Sequence, residues 1–221
     1  MAIEFAIEAS KDPESPLFGM IDEDNVVVAG HSMGATCSIA ASKAMGPVKL
    51  TVTQHPGVCG PFGPPPLPAT WMPSDLREVM EKNPVLFTTA TNDGAFWPAP
   101  HTAEHEWGCY EKTIGGLSED AKKHAFLQFS EAACTEDNDR KPFPDGGHNC
   151  PMKKLDGGAP ESPWVLTAIK LYTHMDGSED SMCYKMMYGN ETSSIVNSKD
   201  IEKFDLNGRG KSTQIDEKFI Q

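Results

Sequence analysis

A run of β-branched residues, Val26-Val27-Val28-Ala29, leads directly into Gly30-His31-Ser32-Met33-Gly34, and small residues from Ala35 to Met45 follow it. Apolar β-branched runs favour a buried strand, and the small-residue segment reads as a helix that can lie close to that strand. The join between them has room for almost nothing. A strand-to-helix turn this tight needs glycine at positions 30 and 34, where a side chain is expected to collide with the neighbouring strand and helix. The turn also lifts one serine, Ser32, out of the sheet at its carboxyl end. A serine held there is placed to act as a nucleophile, with the backbone N–H of the next residue, Met33, aimed at an oxyanion.

The rest of the chain is read around that turn. Ile3 to Ser10 is helical, stopped by Pro13 and Pro16. Strands are expected at Asn25–Ala29, Leu50–Thr53, Val85–Ala90 and Ala125–Phe129. A short helix is expected to begin with Ser74-Asp75-Leu76-Arg77-Glu78, Ser74 being its N-cap, and further helices from His101 to Ile114 and from Trp164 to Met175. A Pro/Gly-rich loop from His55 to Pro73 separates the second strand from the next helix. Alternating strands and helices predict an α/β fold: a mostly parallel sheet of about four strands, flanked by helices, with its chemistry on loops at the carboxyl ends of the strands. The boundaries are residues 1–195 for this domain and 196–221 for a polar C-terminal tail. Within that tail, Asp205 to Lys211 only weakly resembles the start of a calcium loop, so no metal and no cofactor are expected.

Charge narrows the partners. The formal net charge of −13 argues against nucleic acid and anionic membrane surfaces, and no apolar run is long enough to span a bilayer. Six cysteines show no zinc spacing. Cys37, behind the turn, reads as a buried thiol. The even count permits disulfides without fixing their pairing; Cys150 with Cys183 is one candidate, and it would favour secretion over a cytoplasmic location.

A serine hydroxyl attacks an acyl carbon only when a histidine takes its proton and an acid orients that histidine. Asp93 follows the third strand, 61 residues after Ser32; His148 lies in a Gly-Gly-His loop after the fourth strand, a further 55 residues on. Both positions belong to the carboxyl end of the sheet, and the order Ser, Asp, His is the one such turns use. Ser32, Asp93 and His148 are therefore the expected triad. His31, His55 and Trp97, at the same end, are expected to touch substrate, with Trp71 as a further apolar wall. Asp120, Asp137, Asp139 and Asp145 read as solvated loop acids.

Taken together, Ser15-Pro16-Leu17-Phe18-Gly19, Asp22 and Asn25 through Gly34, with Asp93, Gly146-Gly147-His148, Leu171-Tyr172, Asp176-Gly177, Cys183 and Tyr188-Gly189, resemble the α/β-hydrolase group of cutinase-like polyester hydrolases, platelet-activating-factor acetylhydrolases and chlorophyllases. The resemblance implies a serine esterase acting on small-molecule or polymeric esters through an acyl-enzyme. Ala35 stands where that group usually has glycine. The resemblance also implies about four strands ahead of the serine-bearing strand, whereas about 25 residues precede it in this sequence. The expectation is a truncated hydrolase with Val26–Ala29 at a sheet edge, open to pairing with a second copy. It would lack the second oxyanion donor, a loss that costs about 10²–10³ in turnover.

Overall fold

The computed structural model describes residues 2–45, 48–56, 73–91, 93, 110–111, 113–118, 121, 124–130, 133–134, 147–152, 159–173, 181–189, 192–207 and 212–214. Its helices are α1 (Ala2–Lys11), α2 (Met33–Met45), α3 (Pro73–Lys82), α4 (Ser162–Thr173) and α5 (Met182–Tyr188). Its strands are β1 (Val27–His31), β2 (Leu50–Gln54), β3 (Val85–Ala90), β4 (His124–Phe129), β5 (Ile201–Asn207) and β6 (Ser212–Gln214). They form one sheet in the order β1-β2-β3-β4-β5-β6, the first four parallel and the last two antiparallel. This is an α/β fold with a mixed, mostly parallel sheet.

The inner strands carry apolar residues on both faces because helices cover both. Along β3, Val85 and Phe87 join Ile39 of α2 and Leu76, Val79 and Met80 of α3 in one core. Leu86 and Ala90 face the other core, with Trp164, Ala168 and Leu171 of α4. Helix α2 lies against β1 and β2 through small residues. The Ser38 hydroxyl donates to the Ala35 carbonyl at 2.7 Å, and Ser42 shares a 2.7 Å bond with Thr51, so neither buried hydroxyl is stranded. Among the described residues, β1 is the first strand of the sheet. Its Ala29 is exposed, unlike the residues of β3 and β4, so the expectation of a strand buried on both faces fails while that of an edge strand agrees.

Several further expectations are corrected. β1 starts two residues late, because the Asp22 side chain caps a 3₁₀ turn over Glu23–Asn25. Helix α3 starts at Pro73, where a proline suits the first helical position, so Ser74 stands inside the helix instead of capping it. Of the helix expected over 101–114, the described residues from Tyr110 to Ile114 are helical and end at Gly115; the rest lies outside the described residues. Among the described residues the sheet has six strands, not about four, because the expected polar tail contributes β5 and β6. Asp205 is buried in β5 and accepts a 2.8 Å bond from the Tyr110 hydroxyl, which removes it from any calcium loop.

The cysteine expectations also change. Cys150 is bonded to Cys134, not to Cys183, which is free, and Cys37 is exposed. The Cys134–Cys150 bridge ties the segment after β4 to the short 3₁₀ helix Gly147–Met152, two residues beyond His148.

Candidate active site

The segments that leave four adjacent parallel strands carry four chemically active groups, Ser32, His55, Asp93 and His148. Ser32 follows β1. Its φ of 58° lies in the left-handed region that non-glycine residues avoid at a cost of about 1–2 kcal/mol. The turn is held by the Ser32 N–H donating to the Gln54 carbonyl at the end of β2 (2.9 Å), while the Ser32 carbonyl accepts from Ala35 and Thr36 to open α2. Met33 is the first residue of α2, so its N–H belongs to the first helical turn, which has no intrahelical acceptor. The glycines are not equivalent. A Cβ on Gly30 would sit 2.0 Å from the Gly34 carbonyl oxygen, whereas one on Gly34 would meet nothing within 4 Å. The expectation that both positions forbid a side chain holds only for Gly30.

Asp93 follows β3 in a turn in which its N–H donates to the Ala90 carbonyl (3.0 Å). Its Oδ1 lies 3.0 Å from His148 Nδ1, and both side chains are buried. Burial opposes ionisation of Asp93, but hydrogen bonds from His148 and His55 outweigh it and bring the carboxyl down to about 2. An ionised carboxylate only accepts, so the contact assigns a proton to His148 Nδ1; in a neutral ring Nε2 is then the basic nitrogen. That tautomer is the one a general base needs.

His31, beside the serine, donates from Nε2 to the His148 carbonyl at 2.6 Å, and the two rings lie 4.8 Å apart. The strand bearing Ser32 is thus hooked to the segment bearing His148. Burial lowers the proton affinity of His31, in keeping with a neutral donor.

His55, just after β2, is expected from sequence to line the acyl pocket. The structure places it elsewhere: its ring is fully buried, with Nδ1 2.6 Å from Asp93 Oδ2 and Nε2 2.5 Å from Glu161 Oε1. Neither ring nitrogen is left to meet a substrate. Glu161 precedes α4, and its carbonyl accepts from the Trp164 and Val165 N–H groups in the helix's first turn. Its second carboxylate oxygen accepts from Thr88 Oγ1 (2.6 Å) and Gln54 Nε2 (3.0 Å). Sequence reading missed Glu161, Thr88 and Gln54. The one signal was an acidic residue ahead of a helix, which the helix dipole alone would explain. Trp71, Trp97, Asp120, Asp137, Asp139 and Asp145 lie outside the described residues.

His55, Asp93 and His148 converge closely enough to hold a cation. However, both Asp93 oxygens stand at hydrogen-bond distance from imidazole nitrogens, which is the spacing of shared protons. The donor set favours a hydrogen-bonded relay over a metal centre.

Burial alone would lower the proton affinity of His55, but Glu161 and Asp93 overcome it and push the ring up to about 10. A folded-state value above the unfolded 6.5 means that this stabilisation is complete below about pH 6.5 and is lost as pH rises through 10. Asp93, depressed from 3.8, contributes above about pH 4 and loses its contribution as pH falls toward 2. Neutral His31 trims stability on the acid side. The urea unfolding midpoint is therefore expected to fall steadily between about pH 6.5 and 10. A midpoint constant over that range would contradict a charged His55.

No protein-family model matches the sequence, and no curated protein matches it significantly. No helix among the described residues is long and apolar enough to cross a membrane.

Proposed function

We propose that the chain is a serine hydrolase that cleaves carboxylic esters, small or polymeric, through an acyl-enzyme. The observations that carry this reading are a serine in left-handed backbone at a strand-to-helix turn and a buried Asp93–His148 pair, linked by the bond from the adjacent His31 to the His148 carbonyl. In the proposed cycle Ser32 Oγ attacks the ester carbonyl and His148 Nε2 takes its proton. The Met33 N–H then donates to the oxyanion. Collapse of the tetrahedral intermediate expels the alcohol, protonated by His148, and leaves Ser32 acylated. Water, deprotonated by His148, releases the acid and restores the serine. Asp93 remains ionised throughout, fixing the ring's tautomer and stabilising the transient imidazolium.

The test is turnover of a p-nitrophenyl ester series at pH 8. The expected trace is a burst of p-nitrophenol, at most equal to the protein concentration, followed by a slower linear phase as the acyl-enzyme hydrolyses. Folded protein that releases no p-nitrophenol above the uncatalysed rate, across acetyl to octanoyl esters, would rule the proposal out.

A further inference from the structure

Two buried ionisable groups at the site have no part in the cycle just described. His55 adopts a φ of 50°, again in the left-handed region, and its N–H donates to the Thr88 carbonyl (2.8 Å), which pins the residue between β2 and β3. Each of its ring nitrogens faces a carboxylate oxygen at 2.5–2.6 Å. Carboxylates offer lone pairs only, so each contact requires a proton between the heavy atoms. Two carboxylates and one imidazole then share two protons, and the trio carries a net charge of −1 wherever on each line the proton rests. Thr88 and Gln54 donate to the far oxygen of Glu161, which favours the arrangement with both carboxylates ionised and the imidazole charged.

Resting on the hydrolase reading above, we infer that His55 and Glu161 are positioning residues for the Asp93–His148 pair: a buried imidazolium, held by Glu161, fixes the plane of the Asp93 carboxylate and offsets its charge, and so sets the acid limit of the pH range in which the site works. Asp93 gives one oxygen to each histidine, so it cannot rotate without losing a bond. The His55 ring lies 5.7 Å from that of His148, close enough for a positive charge to oppose a second one there. His148 faces Asp93 and His31, and His55 faces Asp93, Glu161 and, at 5.8 Å, His31. Burial holds the proton affinity of His31 below the ordinary value. The positive charge that faces His148 across the shared Asp93 carboxylate is that of His55.

The experiment combines histidine ¹⁵N NMR with the pH profile of ester kcat/KM, on the full chain and on its H55Q/E161Q variant. The double substitution removes the imidazolium without leaving Glu161 buried and unpaired. In the native protein both His55 ring nitrogens are expected to carry protons at pH 8. In the variant, the acid limb of kcat/KM and the pH at which the His148 ring signals move are both expected to rise by about one unit, roughly tenfold in proton concentration. A single ring proton on His55 in the native protein at pH 8 would overturn the inference even if the variant fails to fold. So would a folded variant whose acid limb and His148 signals stay in place. A native protein that turns over no ester defeats the hydrolase reading instead, because the NMR readings need no catalysis.

Discussion

Ser32→Ala is expected to lower ester kcat by about 10⁴- to 10⁶-fold while leaving the unfolding midpoint unchanged or slightly raised. The size follows from the serine's role as the atom that forms the covalent bond. Nucleophile, base and acid act as one unit, so removing the first leaves only what substrate binding and the oxyanion donor contribute. The sign of the stability change follows from the backbone. Ser32 is held at φ 58° by the turn's own hydrogen bonds, from its N–H to Gln54 and from Ala35 and Thr36 to its carbonyl. Alanine keeps that strain. Ser32→Gly removes it, so the glycine variant should be equally inactive yet more stable by about 1 kcal/mol. Chemical denaturation of the three proteins side by side separates the two effects. A serine whose replacement by glycine lowered stability would not be at a strained turn.

The second large effect is structural. Gly30→Ala is expected to destabilise the chain by about 3 kcal/mol or more, a large share of the 5–15 kcal/mol typical of a domain. Its Cβ would sit 2.0 Å from the Gly34 carbonyl oxygen and 2.3 Å from the Gly34 carbonyl carbon. Both are backbone atoms of the first turn of α2 and cannot rotate aside, so strand and helix must part and Ser32 and Met33 must move with them. Ester turnover should fall at least 100-fold in whatever protein remains folded. Gly34→Ala is the control. Open space surrounds that position, and alanine favours a helix over glycine by up to about 1 kcal/mol, so this variant should equal or exceed the native stability. Equal stability for the two alanine variants would mean that the turn is not packed as described.

The parts of the fold legible in the sequence were those fixed by local pattern. β3 occupies Val85–Ala90 as its apolar run implies, and Ser32 and Asp93 follow strand ends, with His148 on the segment after β4, because parallel strands put their loops at one edge. β5 was hidden for an identifiable reason. Ile201, Phe204 and Leu206 all face one core, an odd spacing that conceals the period of two. The pairing with β4 slips between Gln128 and Phe129, and the extra residue resets the phase. Asp205 then gave a polar signal to a buried strand whose partner, Tyr110, lies 95 residues away in sequence.

The inner half of the site was illegible for a related reason. Glu161 and His55 are 106 residues apart, and nothing local to either one indicates the other. His55 looked like a pocket residue because it follows a strand, which was right about its place and wrong about its surroundings. The disulfide expectation failed in the same way, since spacing did not distinguish Cys134 from Cys183 as the partner of Cys150. Local chemistry pointed to the candidate triad; the groups that hold it came from contacts across the sheet.

The account stands or falls on whether Ser32 is an activated nucleophile, and a fluorophosphonate probe reads that directly. The native protein at pH 8 is expected to gain a single covalent adduct, mapped by peptide mass spectrometry to Ser32, and to lose it in Ser32→Ala. Native protein that is folded by circular dichroism yet takes up no adduct, or takes it up at another residue, would contradict the account.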